Sequence, residues 1–91
     1  MRTPRAPLFA LAWLAALLSA PTPLAQRLAD TFVAGNEAAY RGDWGDAARE
    51  YEKLVAAGVD DADVHFNLAV AHAHAGQLGR AVLGFERSLA L

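Results

Sequence analysis

Residues 32–57 read FVAGNEAAYRGDWGDAAREYEKLVAA, and residues 66–91 read FNLAVAHAHAGQLGRAVLGFERSLAL. At a shift of 34 residues the two lie on each other. Phe32 meets Phe66, Ala39 meets Ala73, Gly42 meets Gly76, and Gly45 meets Gly79. Ala47 meets Ala81, Glu52 meets Glu86, and Ala56 meets Ala90. Tyr51 with Phe85 and Lys53 with Arg87 are conservative pairs, and Trp44 falls on Leu78. A fixed period of this length marks a helical pair that hides its apolar face only by stacking on a neighbour.

Outward from the repeats, the punctuation predicts four helices. The first spans about 28–41, with Leu28, Phe32, Gly35 and Ala39 on its apolar face. Gly42 stops it and Asp43 is placed to cap the next. The second spans about 44–57, with Trp44, Ala47, Ala48, Tyr51, Leu54 and Val55 as its stripe. Gly58 ends it, and Asp60 or Asp61 caps the third, which spans about 62–75. Val64, Leu68, Ala69, Ala71 and Ala75 form the apolar side of that helix. Gly76 repeats the stop, and the fourth helix runs from about Leu78 onward, with Leu78, Ala81, Val82, Phe85 and Leu89 on one face. No segment alternates with period two, so strands are not expected. Two helical pairs with short turns fit an antiparallel helix stack.

Before the repeats, Arg2 and Arg5 precede an unbroken apolar run from Leu8 to Leu18, and Ser19–Pro23 breaks it. A positive start, a short apolar core and a small-residue exit describe a secretory signal peptide, residues 1–25, cut after Ala25. The core is shorter than the roughly 20 residues a spanning helix needs. The alternative is an uncleaved anchor in the inner membrane. Export implies a bacterial periplasm or cell envelope. The chain has no cysteine, so it contains neither a disulfide nor a thiolate metal site. Its 8 basic and 10 acidic residues become 6 and 10 once the leader, which holds two arginines and no acid, is removed. A mildly acidic surface argues against nucleic acid or anionic lipid as partner.

The stretch from Phe32 to Leu91 resembles the tetratricopeptide repeats (TPR), over 60 of the 66 residues beyond the expected cut. Asn67, Leu68 and Ala69 resemble that family's opening signature, and Gly42 and Gly76 its turn. Ala47 and Ala81 match the small residue where two helices cross closely; Tyr51 and Phe85 match its gap-filling aromatic. Val59 stands where the family usually has proline, and Leu54 where a small residue is usual. The resemblance implies an all-α fold, with antiparallel helical hairpins stacked as a short right-handed α-solenoid. Its two TPR units would be 28–57 and 62–91, in the domain 26–91 that follows the signal peptide. Gly42, Trp44, Ala47, Tyr51, Leu68, Gly76, Ala81 and Phe85 become its structural packing residues. A finer likeness is to the repeat proteins of bacterial aerotolerance (Bat) operons, thought to serve envelope assembly or stress tolerance. Gly35-Asn36, Tyr40, Gly42-Asp43-Trp44, His65-Phe66-Asn67-Leu68-Ala69 and Leu78-Gly79-Arg80-Ala81 carry it.

In this family the first helix of each pair lines a concave groove that takes peptides. That assigns Asn36, Tyr40, Asn67, Val70 and His74 to partner binding. An asparagine amide donates to a peptide carbonyl and accepts from its N–H. A carboxylate-clamping role for the asparagines lacks its lysine, because Phe32 stands in that place. His65 and His72 share a face but lie about 10 Å apart along the axis, too far for one ion without a third ligand. They read as packing or groove residues. Asp60, Asp61 and Asp63 read as helix-start carboxylates, not a calcium loop. Glu52, Lys53, Glu86 and Arg87 read as a solvated face. The only serines are Ser19 and Ser88, and no base is placed to activate either. Neither catalytic residues nor cofactors are expected. The expected function is an exported scaffold for protein–protein interaction, and the alternative is a membrane-anchored oligomerisation segment with the apolar run retained. A core of this size without staples is small, and the last helix leaves Val82, Phe85 and Leu89 bare. The chain therefore reads as the N-terminal part of a longer array, or as one that self-associates through that helix.

Overall fold

The computed structural model describes residues 23–91. The expected signal sequence lies outside them except for Pro23–Ala25. Among the described residues there are four helices and no strand: α1 (Pro23–Tyr40), α2 (Trp44–Ala56), α3 (Ala62–His74) and α4 (Leu78–Leu89). Each packs on the next in chain order, so α1–α2 and α3–α4 are hairpins, and the α2–α3 contact joins them. α1 reaches further back than the expected Leu28. Its first turns are exposed and carry no apolar period by which a sequence reading could find them.

Three of the helix ends use one device. Gly42, Gly58 and Gly76 have φ of 79°, 88° and 80°. This left-handed conformation is costly for any residue with a Cβ. At each, the next N–H reaches back to a carbonyl five residues earlier: Asp43 to Ala38 at 2.9 Å, Val59 to Leu54 at 3.0 Å, Gln77 to His72 at 2.8 Å. These are Schellman caps, which satisfy carbonyls the helix leaves orphaned.

The helix starts divide by the room available. Asp61 sits in extended backbone, and its carboxylate accepts from the N–H groups of Asp63 and Val64 at 2.8 and 3.2 Å. Asp43 was expected to do the same for α2 and does not. It lies directly after the Gly42 stop, with φ −83° and ψ 69°, outside the extended conformation of a capping residue. Its carboxylate instead accepts from Arg41 Nε at 3.1 Å. Gln77, in the equivalent slot before α4, also makes no side-chain cap.

The core is built mostly of alanine. Ala38, Ala47, Ala48, Ala71 and Ala81 are buried, and Tyr51 and Leu54 are the largest side chains fully enclosed. Ala47 and Ala81, expected at close helix crossings, are both buried. Ala75 does not join the buried side of α3, because it falls past the helix end and is exposed. Two glycines mark closer contacts. A Cβ on Gly35 would come within 2.6 Å of the Tyr51 ring, and one on Gly84 within 2.9 Å of the Ala69 methyl. Gly84 escapes the repeat comparison, since Glu50 is its counterpart. On α4 the buried side is Ala81 and Gly84, with Phe85 half-buried, while Leu78, Val82 and Leu89 are exposed.

Candidate functional site

The five residues expected to meet a partner sit on α1 and α3. Asn67, Val70 and His74 are spaced three and four apart, so they share one face of α3; Asn36 and Tyr40 share one face of α1. Tyr40 is 95% exposed. Asn67 and Val70 are half-buried and His74 is exposed. No hydrogen bond, ion pair or ring contact among the described residues joins any two of the five.

Two of them are held by α2. The Tyr51 hydroxyl donates to Asn36 Oδ1 at 2.6 Å, which fixes the Asn36 amide and leaves its NH₂ as the available donor. Burial pushes the Tyr51 phenol above its ordinary range. His74 stacks on Trp44 with ring centroids 4.0 Å apart and planes within 8°. That stack joins the last turn of α3 to the first residue of α2, so it ties the second hairpin to the first. Trp44 is half-buried against the core, and this stack is its ring contact. The side chains on these faces are mixed: an indole–imidazole stack, carboxamides, an aliphatic side chain and an exposed phenol. They can hydrogen-bond a peptide backbone and pack against its side chains.

The other two histidines take a different course. His65 and His72 are buried on the opposite side of α3. His65 Nε2 faces Asp60 Oδ1 at 3.1 Å. His72 Nδ1 faces Gln77 Oε1 at 2.7 Å, and its Nε2 faces Glu52 Oε1 at 3.4 Å. Glu52 stays on the exposed face expected of it while approaching His72 from there. The seven-residue spacing of the two histidines showed the shared face, but nothing in it signalled which acids would answer them. Among the described residues no three histidine, aspartate or glutamate side chains gather as a metal would need.

Stacked helical hairpins with small residues at each crossing, glycine stops and an open side-chain face define a repeat scaffold of the protein-binding kind. The family model for the tetratricopeptide repeat matches residues 32–91. The chain belongs to the tetratricopeptide repeat family. Modules of this family are generally non-catalytic and typically bind other proteins or peptides. No curated protein and no solved structure matches the chain significantly.

Proposed function

We propose that the chain is an exported scaffold that recruits another protein through the face formed by Asn36, Tyr40, Asn67, Val70 and His74. The observation that carries the proposal is the Trp44–His74 stack beside Asn67 and Val70. It is a partly exposed aromatic platform near polar groups with free hydrogen-bonding capacity, fixed by two helices rather than by a loop. Pre-set surfaces of this sort bind at lower entropic cost. Export rests on the positive, apolar and small-residue segments of residues 1–25. The likeness to repeat proteins of aerotolerance operons favours a place in cell-envelope assembly or stress tolerance. The competing reading keeps the run Leu8–Leu18 as a membrane anchor for an oligomerising segment. Among the described residues no helix is long and apolar enough to cross a membrane.

Affinity capture from envelope extract tests the proposal when wild type is compared with Asn67→Ala/His74→Ala. Both residues are outside the buried core, and circular dichroism of the variant checks that loss of the Trp44–His74 stack leaves it folded. A partner retained by wild type and lost by the variant supports this face; identical capture by both removes it. N-terminal sequencing of the mature protein decides between export and anchoring, since a start at Gln26 discards the anchor. Self-association is a second reading, favoured by Leu78, Val82 and Leu89, which are 66%, 57% and 88% exposed on α4. Sedimentation that stays monomeric at micromolar concentration ends it.

A further inference from the structure

A second cleft lies on the other side of α3. His65, Leu68 and His72 line it, each two residues before Asn67, Val70 and His74. Two residues are roughly 200° of helix, so the two sets face nearly opposite ways. The cleft encloses about 390 Å³ between α2, α3 and α4. Val55, Leu68 and Leu83 give it an apolar bed, and Arg80 and Arg87 stand along its α4 wall. It continues past Val55, His65 and Arg87 into an open trough of about 560 Å³ that ends at Leu91.

The charges of this cleft are unevenly matched. The two carboxylates along it are already engaged: Glu52 faces His72, and Asp60 faces His65. Elsewhere Arg41, Arg49 and Lys53 each pair with a neighbouring acid, and Arg27, far off on α1, does not. Arg80 and Arg87 pair with none of the described carboxylates, although the chain as a whole is acidic. Both are exposed. They are seven residues apart, hence on one face of α4 and about 10 Å apart along its axis, with Leu83 between them.

We infer that this cleft is a second docking surface, and that its occupant is an acidic amphipathic helix from another protein. A helix laid along α4 repeats the same spacing. Carboxylates two turns apart on it reach Arg80 and Arg87, and an aliphatic residue between them packs on Leu83, Leu68 and Val55. Arginine accepts a carboxylate through paired N–H donors, which suits this role. A polyanion such as nucleic acid or a lipid headgroup surface fits less well, because only two cations face it and Glu52 and Asp60 lie along the same rim. The scaffold would then hold one partner on each side of α3.

Fluorescence anisotropy on the full chain tests this with two labelled, alanine-based helical peptides. One has glutamates two turns apart with leucines between; its twin has glutamines in their place. The glutamate peptide is expected to bind about tenfold more tightly or better, and Arg80→Gln/Arg87→Gln to weaken it by a similar factor. Circular dichroism of that variant should match wild type, since both arginines are exposed. Tyr40→Ala, a fully exposed change on the other face, should leave the binding intact, which separates this cleft from that face. Equal binding of the two peptides, binding of neither, or indifference to the arginine substitutions overturns the inference. So does an arginine-dependent preference for phosphatidylglycerol vesicles over the peptide.

Discussion

The two hairpins are built from one repeat, yet they solve the same contact with different chemistry. In the first, Phe32 meets Tyr51 with ring centroids 6.2 Å apart; in the second, Phe66 meets Phe85 at 5.4 Å. These are the same two positions, one period apart. Around them the polarity changes in concert. The Tyr51 hydroxyl needs an acceptor and has Asn36; one period on, Phe85 needs none and Val70 stands in the asparagine's place. Likewise Leu54 is buried at the end of α2, whereas its counterpart Ser88 donates to the Ala62 carbonyl at 3.0 Å. Trp44 stacks on His74 of the following hairpin, while its counterpart Leu78 is exposed. Among the described residues α2 lies between α1 and α3 and is well enclosed, whereas α4 packs on α3 alone. A repeat position thus specifies a contact, and the next unit along decides how buried that contact becomes.

The sharpest way to break this contrast is to remove the aromatic from each unit. Tyr51 is 1% exposed, so Tyr51→Ala should cost about 3–5 kcal/mol and leave little folded protein. Phe85 is half-buried, and Phe85→Ala should cost about half as much. Urea denaturation followed by circular dichroism compares them. Equal losses would mean that the two units are equally enclosed in solution.

The close glycine contacts come next. Gly35→Ala places a methyl against the buried Tyr51 ring, and Gly84→Ala places one against the Ala69 methyl. Alanine favours helix over glycine by about 1 kcal/mol. The overlap outweighs that gain, so each variant should lose about 1–2 kcal/mol net. The units should differ in rescue. Ala69→Gly relieves Gly84→Ala by removing the opposing methyl, whereas no small change relieves Gly35→Ala without giving up Tyr51. A double-mutant cycle with no coupling between positions 69 and 84 would contradict the observed crossing.

Much of this architecture was legible beforehand, for identifiable reasons. The 34-residue period, the stop glycines and the alanines at the crossings are local requirements that recur, so self-comparison finds them. The four helices follow to within a residue or two, except at the start of α1. Gly84 was not legible, because its counterpart is the charged, half-buried Glu50, and the repeat gives no hint of a close crossing there. The Asn36–Tyr51 bond and the Trp44–His74 stack were not legible either. Each joins residues whose separation depends on how helices rotate against one another, which neither period nor composition encodes. The same holds for the face proposed to meet a partner: the family likeness suggested its residues, but not the support that α2 lends Asn36 and His74.

The polar pair in the first unit can be converted into the apolar pair of the second. Tyr51→Phe leaves Asn36 Oδ1 without its donor and should cost about 1–1.5 kcal/mol. Adding Asn36→Val reproduces the Val70/Phe85 arrangement and should recover most of the loss. The same hydroxyl gives a pH test. Burial raises the Tyr51 pKa in the folded state above its ordinary value of 10.0. The unfolded chain therefore releases this proton first, and binds fewer protons than the native state above that pH. Stability contributed here is complete below about pH 10 and declines as pH rises toward the folded pKa. Urea midpoints taken across that range should fall less steeply for Tyr51→Phe than for wild type. Parallel slopes would place the ionisation elsewhere.

The smallest effect separates the links rather than the aromatics. Asp61 caps α3 with two backbone N–H groups, while Asp43, at the corresponding place before α2, holds only Arg41. Asp61→Ala should cost about 1 kcal/mol, in the range of a lost N-cap. Asp43→Ala should change stability by no more than about 0.5 kcal/mol, since an exposed ion pair contributes little. The cause is the length of the connection. Between α1 and α2 the residue after the glycine stop must also begin the next helix, and its backbone cannot adopt the capping conformation. Between α2 and α3 the longer link from Gly58 to Asp61 separates the two tasks. Thermal melts of the two alanine variants decide the point. A shift for Asp43→Ala as large as that for Asp61→Ala would show that the tight turn permits a cap after all.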